Sequence, residues 1–488
     1  MKKTLIILLA ISIISCEKLE INKLQKTAQQ DSSRTHMNSV LNNLKPFHYL
    51  KGKVQKQTIE GLMQKYNVPG LRIVFTNKGK ISWSKSYGYA NLKDSIRVDK
   101  NTVFQGASLG KPVTSMAALN LVEKGVLELD EDVNNKLKGW KVPTNEFTKK
   151  EKVTLRRLIG HTSGFNRYYG ANYMPNEKLP TIVQTLNGEK PSKHPAVKLI
   201  AVPGEKYTYS NPGYLITEKL MEDVTGKKFE NIIDELVFKP SDMKNSSFQQ
   251  PAPKHLMDVS AIGYSENLQP YYYNIISFKA AGAILTTPDD LAKFTSTLID
   301  DHKKGTNMIL SKEMTSKVFN RGSRLEKLGF TLFNWKDDIA FRHTGHNYGF
   351  TSFMYGSVNK EQSLIIMTNG SNTHELFSQI LYAVATEYNW DYFKSNEYEP
   401  VDISGKDLNV FTGHFDWYGK KIIITNELDN LFLQIDNSRF KLVPVGTNTF
   451  LAPENSLLIT FPENLENEIK TIHIWDRNND NHTINKMY

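Results

Sequence analysis

A serine and a lysine three positions apart, Ser108 and Lys111, are the residues of this sequence best spaced for nucleophilic chemistry. Side chains three apart on a helix share a face, so the lysine amine can contact the serine hydroxyl, and a helix start favours a developing alkoxide. The Ser-x-x-Lys pattern occurs six times, starting at Ser15, Ser82, Ser108, Ser241, Ser357 and Ser438. Only Ser108 lies between a glycine-containing loop (105–107) and a long helix predicted over 108–124. We therefore predict Ser108 as the nucleophile.

A second candidate is the Tyr-Ser-Asn triplet at 209–211, in a segment that contains prolines and glycines. A phenol has a pKa near 10 and is a poor base at neutral pH unless a nearby ammonium stabilises the phenolate. Tyr209 can therefore act as a base only if Lys111 lies close to it in space. The triplet alone is not specific, because residues 272–274 match it and because a tyrosine in such a loop is often structural.

The third candidate is the segment 343–346, His-Thr-Gly-His, which precedes a strand predicted to start at Thr351. A glycine here lets the main chain approach a substrate, and a main-chain N–H can then stabilise an oxyanion. Read by itself, the segment equally fits an ordinary junction between a loop and a strand.

Together and in this order, the three segments resemble the serine β-lactamase and penicillin-binding superfamily, which joins Ser-x-x-Lys to a polar triplet and a Lys-Thr-Gly strand. Tyr-Ser-Asn as the triplet is similar to the class C β-lactamase and D-alanyl-D-alanine carboxypeptidase branch. The segments 153–164 and 280–291 also resemble that branch. The resemblance covers roughly residues 50 to 390.

The resemblance implies a role for each polar residue of the first two segments. Ser108 would be the acylated nucleophile and Lys111 its electrostatic activator. Tyr209 would take the serine proton and return it to the leaving group, while Asn211 would orient Lys111 and the substrate amide.

In the third segment, His343, Thr344 and Gly345 align with the Lys-Thr-Gly strand of the family. The main-chain N–H groups of Ser108 and His346 would form the oxyanion hole. His343 is the main departure from the family pattern, because a lysine is usual at that position.

A histidine is mostly neutral above about pH 6.5, so His343 should bind a substrate carboxylate less tightly than a lysine would, unless a group such as Arg342 supplies the charge. The substitution favours peptidase-like and esterase-like members over a true β-lactamase. We interpret His161, by contrast, as structural.

The predicted activity is that of a serine hydrolase that cleaves D-amino-acid-containing peptides or related amides through an acyl-enzyme. A carboxylesterase using the same residues is an alternative, and a class C-like β-lactamase is a further one. A penicillin-binding sensor that acylates without turnover is the non-enzymatic alternative. The small-molecule or peptide substrate is not specified further, and neither is the oligomeric state.

The elements around these segments indicate an α+β fold, in which an antiparallel sheet is flanked by helices and carries a mostly helical insertion. Hairpins are predicted at 71–87 and 351–368, and helices near 55–66 and over 373–388. The serine hydrolase domain is placed at 47–395. Short apolar runs between Asn, Asp and Gly turns predict a small all-β, barrel-like domain at 400–488.

The N-terminus reads as an export signal, with two lysines, a short apolar run and a cysteine at position 16. The run is too short to span a bilayer, and its end resembles a bacterial lipobox. We expect a signal peptide at 1–15, a lipid on Cys16, and a flexible tether over 16–46. The protein would then be anchored to the bacterial cell envelope, outside the cytoplasm.

The formal charge of +10 comes from dispersed lysines without a recognition motif, so nucleic-acid binding is not expected. The histidines lack metal-ligand spacing, and the inferred chemistry requires neither a metal nor another cofactor. Cys16 is the only cysteine, so no intramolecular disulfide can form.

Overall fold

The structure is a computed structural model, and it describes the chain in segments. These are residues 30–53, 57–167, 172–271, 273, 275–320, 322, 327–335, 338–390, 393–417, 419–463, 471–475 and 481–487. The chain divides into two compact units. One combines the residues up to Leu62 with His374–Tyr488, and the other is Met63–Thr373.

The helices of the described residues are α1 (30–42), α2 (Ile59–Lys65), α3 (Gly110–Glu123), α4 (Leu155–Ile159), α5 (Ile182–Asn187), α6 (Asn211–Thr225), α7 (Phe229–Ile233), α8 (Lys254–Met257), α9 (Lys279–Gly282), α10 (Pro288–Lys304), α11 (Lys312–Val318) and α12 (His374–Glu387). Shorter helical turns occupy Val133–Asn135, Asp234–Phe238 and Leu408–Phe411.

The strands are β1 (His48–Leu50), β2 (Gly70–Asn77), β3 (Lys80–Asn91), β4 (Ile96–Arg97), β5 (Phe104–Ala107), β6 (Asn172–Tyr173), β7 (Gly263–Tyr264), β8 (Pro270–Tyr271), β9 (Ile275–Ile276), β10 (Ile284–Thr286), β11 (Thr331–Trp335), β12 (Asp338–Asn347), β13 (Phe350–Ser357), β14 (Gln362–Thr368), β15 (Asn396–Tyr398), β16 (Gly413–Trp417), β17 (Lys420–Glu427), β18 (Asn430–Ile435), β19 (Ser438–Lys441), β20 (Val443–Pro444), β21 (Thr449–Ala452), β22 (Leu457–Thr460), β23 (Thr471–Trp475) and β24 (Asn481–Lys486).

The unit Met63–Thr373 is built on an antiparallel sheet whose described strands run in the order β11-β12-β13-β14-β2-β3-β4. Both predicted hairpins are confirmed, since β2 pairs with β3 and β13 pairs with β14. β14 is buried along its whole length, as expected of a central strand covered on both faces. The predicted α+β class is therefore confirmed.

The helix α10 packs on this sheet, and its first residues carry the signals that favour a helix start. Thr287 caps it by accepting the Asp290 amide at 3.2 Å, Pro288 occupies the first turn, and Gly305 ends it at φ 66°. The helix contacts β14 through Thr295, whose Oγ1 lies 2.8 Å from the Ser363 Oγ. The apolar core of the unit lies around α3, α6 and α10.

The second unit contains an antiparallel sheet whose described strands run in the order β19-β18-β17-β16-β24-β23-β22-β21-β20. Its apolar core is lined by aromatic and branched side chains such as Phe411, Phe415 and Ile472. The apolar runs that predicted an all-β segment after residue 400 coincide with these strands, so that segment is confirmed as β structure.

The described part of the predicted tether is not wholly flexible, because residues 30–42 form α1. Val40 is fully buried, and the imidazole of His36 contacts the carboxylate of Glu387 at 2.5 Å. The compact units also differ from the predicted domain limits of 47–395 and 400–488. Strand β1 pairs in parallel with β15, which joins residues near 48 to the C-terminal unit. Local patterns could not give that pairing, because its strands lie about 350 positions apart along the chain.

The predicted signal peptide and Cys16 lie outside the described residues. Among the residues that are described, no helix has both the length and the apolar character needed to cross a bilayer.

Candidate active site

Ser108 lies in the turn between β5 and α3, two residues before the helix rather than at its first position. Ala107, the last residue of β5, has φ 49°, a left-handed conformation that costs a non-glycine residue about 1 kcal/mol or more. The Leu109 amide donates to the Gly106 carbonyl at 3.0 Å and closes the turn. The described residues provide no hydrogen-bond acceptor for the Ser108 amide. The strained turn therefore leaves that N–H available to a ligand.

Lys111 contacts the nucleophile as its spacing predicts. Its Nζ lies 3.0 Å from the Ser108 Oγ and donates to the Ala281 carbonyl at 2.6 Å. The lysine is completely buried, and this burial lowers the pKa of its amine well below the usual range. The Lys111 amide donates to the Ser108 carbonyl, a tight i to i−3 bond before Pro112. Burial thus disfavours the protonated form of the amine that is held against the serine hydroxyl.

Tyr209 completes this cluster, since its hydroxyl shares a hydrogen bond with the Ser108 side chain. The Lys111 Nζ lies 4.9 Å from the centroid of its ring, so the predicted proximity of lysine and tyrosine is confirmed. The expected lowering of the phenol pKa is not found. Burial raises the pKa of Tyr209 to about 12, against a lowering by the Ser108 hydrogen bond and the Arg167 charge. The resting phenol is therefore protonated.

His161 holds the Tyr-Ser-Asn segment in place, which fits its interpretation as a structural residue. Its Nδ1 accepts the Ser210 amide at 3.0 Å, and its carbonyl accepts the Thr208 amide at 2.7 Å. Its ring lies 4.3 Å from the ring of Tyr209. Burial and the nearby charge of Lys111 lower the pKa of His161, which keeps Nδ1 an acceptor.

Asn211 is the last residue of this segment and the first residue of α6. Ser210 caps that helix, because its Oγ accepts the Gly213 amide at 3.2 Å. The cap fixes where α6 begins, so the orientation of the neighbouring Tyr209 is set by the start of a rigid helix.

The third predicted segment lies on β12, where side chains alternate between the two faces. His343 is buried, while Thr344 and His346 are exposed. Burial, together with the Lys111 charge, lowers the pKa of His343 to about 3, and its Nδ1 lies 2.9 Å from the Thr344 carbonyl oxygen. His343 is thus neutral at physiological pH. It lacks the charge with which a lysine at this position would bind a substrate carboxylate.

Gly345 brings β12 against the strand that carries the nucleophile. A Cβ at this position would lie 2.2 Å from the Gly106 carbonyl oxygen and 2.3 Å from the Ser352 Oγ. Ser352, the residue of β13 that pairs with Gly345, donates to the same Gly106 oxygen at 2.9 Å. Only glycine permits this approach, so the residue type at 345 fixes the distance between β12 and β5.

The described alternative Ser-x-x-Lys pairs have no comparable site. Ser82 and Lys85 lie on β3, where positions three apart face opposite sides of the strand. Ser357 donates to the Asp338 carboxylate at 2.6 Å. In the second Tyr-x-Asn match, Tyr273 donates to Gln250 at 3.0 Å, and its two neighbours lie outside the described residues.

Glu218 is a functional candidate that the sequence analysis missed. This fully buried carboxylate accepts the Ala280 amide at 3.0 Å and lies 3.3 Å from the Lys279 Nζ, which also pairs with Glu230 at 3.0 Å. It thereby links α6 to α9, whose Ala281 carbonyl accepts the Lys111 amine. The signal for Glu218 in the sequence was an acidic residue on a face of α6 whose other residues are buried.

Within the described ranges, no three His, Cys, Asp or Glu side chains are placed to ligate an ion. A serine, a lysine and a tyrosine converging on one oxygen define a site of the serine acyl-transfer type. The chain belongs to the beta-lactamase family, because the family model described as Beta-lactamase matches residues 56–387. It is thus a member of a family of serine hydrolases with the beta-lactamase fold.

Curated relatives support this assignment at moderate identity. Protein flp of Staphylococcus aureus (strain N315) is 25% identical over 321 residues, covering 64% of this chain and 61% of flp. The matched part is therefore less than two thirds of the length of flp. A penicillin-binding protein of Bacillus subtilis (strain 168) is 24% identical over 445 residues, covering 84% of this chain and 94% of that protein.

Solved structures show the same fold. The octameric penicillin-binding protein homologue from Pyrococcus abyssi aligns with a TM-score of 0.57 at 20% identity, covering 87% of this chain and 99% of that one. A class C beta-lactamase aligns with a TM-score of 0.56 at 19% identity, covering 73% and 97%.

Proposed function

We propose that this protein forms an acyl-enzyme on Ser108 and hydrolyses D-amino-acid-containing peptides or related amides. One observation carries the proposal: the buried Lys111 amine lies 3.0 Å from the Ser108 Oγ, and the Tyr209 hydroxyl hydrogen-bonds to the same side chain. A serine hydroxyl needs an adjacent base to become a nucleophile, and this pair supplies one within hydrogen-bond reach.

In the acylation step, the Lys111 amine, whose protonated form is disfavoured by burial, takes the proton of Ser108 as its Oγ attacks the substrate carbonyl. When the carbon–nitrogen bond breaks, Tyr209 gives its proton to the leaving amine, and the Lys111 ammonium returns a proton to the phenolate. This order revises the roles implied by the family resemblance. It follows from the lowered pKa of the lysine and the raised pKa of the tyrosine.

The oxyanion would be stabilised by the main-chain N–H groups of Ser108 and His346. The close approach of β12 to β5 at Gly345 supports this role for His346, because it brings the last residues of β12 beside the strand that leads into Ser108. Asn211, next to the cap of α6, would contact the substrate amide.

Neutral His343 supports peptides and amides whose binding does not depend on a cation at this position over β-lactams, whose carboxylate a lysine would bind here. A carboxylesterase with the same residues is the second candidate, because a neutral site does not disfavour uncharged esters. A class C-like β-lactamase and an acylating sensor without turnover are further alternatives.

The purified protein should be assayed against N-acetylated D-alanyl-D-alanine peptides, p-nitrophenyl esters and a chromogenic cephalosporin. We expect steady turnover of the D-peptides and little of the cephalosporin. A single stoichiometric burst on every substrate would instead indicate a sensor, and fast cephalosporin turnover would indicate a β-lactamase.

The location proposed from the N-terminus is the cell envelope, through lipid on Cys16. Expressed with its own signal in a bacterium, the protein should partition into membranes with an acylated Cys16 in its mass spectrum. The Cys16→Ala protein should carry no acyl chain. An unmodified Cys16 in the mature protein would contradict the proposal.

A further inference from the structure

A substrate that carries a carboxylate needs a cation in the site, and β12 does not place one there. A peptide with a free C-terminus brings a carboxylate next to the scissile bond, yet His343 is neutral and Lys111 is buried against Ser108. Arg342 alternates to the other side of β12 from His343, and its guanidinium lies 4.6 Å from the Phe333 ring centroid. A cation on another element must therefore bind the carboxylate of such a substrate.

Arg167 is placed to supply this cation. Its exposed guanidinium lies 5.7 Å from the ring centroid of Tyr209. The backbone beside it is anchored to the site, because Ser210 donates to the Asn166 carbonyl at 3.2 Å and the Asn166 amide donates to the Lys198 carbonyl at 3.0 Å. The charge of Arg167 also acts on the Tyr209 hydroxyl and lowers the pKa of that phenol, against the effect of burial.

We propose that Arg167 binds the C-terminal carboxylate of the substrate and so determines specificity for peptides with a free C-terminus. The inference rests on the proposed hydrolase function and names its substrate class. A guanidinium presents two parallel N–H donors that match a carboxylate, and it is more weakly hydrated than an ammonium.

A dipeptide is short, so its terminal carboxylate stays close to the reacting bond. The terminal carboxylate of a dipeptide lies about one residue length, ~3.8 Å, beyond the scissile carbonyl. That carbonyl must contact Ser108, which hydrogen-bonds to Tyr209, and the guanidinium lies over the same tyrosine. Tyr209 is the residue proposed to protonate the leaving amine, so a cation beside its ring would lie near the leaving group.

A purely electrostatic role for Arg167 in tuning Tyr209 makes a different prediction. It would affect charged and neutral substrates equally, because the proton transfer is common to both. Carboxylate binding affects only substrates that carry the carboxylate, and the two roles separate when a peptide is compared with its C-terminal amide.

The test measures binding in the Ser108→Ala protein by calorimetry, with N-acetyl-D-alanyl-D-alanine and its C-terminal amide as probes. We expect the carboxylate form to bind about tenfold tighter, in the range of a hydrogen bond to a charged group. Adding Arg167→Ala or Arg167→Gln should abolish the preference, and Arg167→Lys should restore part of it. Equal binding of the two probes before any change at Arg167 would overturn the proposal.

Arg97→Ala is the matched control, because Arg97 is also exposed and lies 4.3 Å from the ring of a tyrosine, Tyr89, but on the edge strand β4. It removes the same charge and should leave the preference intact. Turnover by proteins with intact Ser108 separates the two proposals. A preference in binding without any hydrolysis would refute the hydrolase function alone, and hydrolysis without a preference would refute the role of Arg167 alone.

Discussion

Replacing Gly345 by alanine should separate the two strands that frame the nucleophile. The new Cβ would lie 2.2 Å from the Gly106 carbonyl oxygen, and ordinary contact begins near 3.4 Å, so β12 and β5 must move apart by about 1 Å. Overpacking of this kind costs about 1–3 kcal/mol of stability. A displacement of about 1 Å at a reacting centre costs roughly 100-fold in rate. We expect Gly345→Ala to fold and to acylate about two orders of magnitude more slowly.

The assay is the rate of Ser108 acylation by a fluorescent penicillin or a fluorophosphonate probe, below the unfolding temperature of each variant. Gly356→Ala is the matched control, since its Cβ would meet the Phe341 ring at 2.2 Å on the same hairpin. It should lose similar stability but keep the acylation rate. Equal acylation rates for Gly345→Ala and the wild type would refute the reasoning that β12 positions the site.

Three further results are expected. Lys111→Ala and Tyr209→Phe should each cost several powers of ten in ester hydrolysis and the double change little more, because both belong to one proton relay; additive losses would contradict this. Burial raises the pKa of Glu218 to about 7 from 4.5, so ionisation costs the folded state stability as pH rises between these values. In urea unfolding, the wild type should lose at most ~1.4 kcal/mol of stability per pH unit over this range, and Glu218→Gln should not show this loss. Equal slopes of stability against pH in the two proteins would contradict the prediction. Because the pKa of His343 is about 3, His343→Asn should not shift the acid limb of the profile of kcat/KM against pH above pH 5. A shifted limb would show that His343 titrates in that range.

Much of the fold follows from local patterns in the sequence. The hairpins at β2–β3 and β13–β14 and the start of α10 at Thr287 were predictable because strand alternation and helix capping act over a few residues. The convergence of Ser108, Lys111 and Tyr209 was predictable only from the order of three motifs, since no single motif was specific.

Other features depend on contacts between distant parts of the chain. The helix at 30–42 is held by burial of Val40 and by Glu387, more than 340 positions away, so its polar sequence suggested a tether. The left-handed conformation falls on Ala107 and not on the adjacent Gly106, so the residue type does not mark it. The raised pKa of Tyr209 reflects its burial in the folded site, which spacing along the sequence does not encode.

The central claim is that Ser108 is acylated, and site-specific labelling tests it most directly. A fluorophosphonate or fluorescent penicillin should label the wild type and the Ser82→Ala and Ser357→Ala proteins, and peptide mass spectrometry should find the adduct on Ser108. The Ser108→Ala protein, folded as judged by circular dichroism, should take up no label. Undiminished labelling of Ser108→Ala would contradict the account.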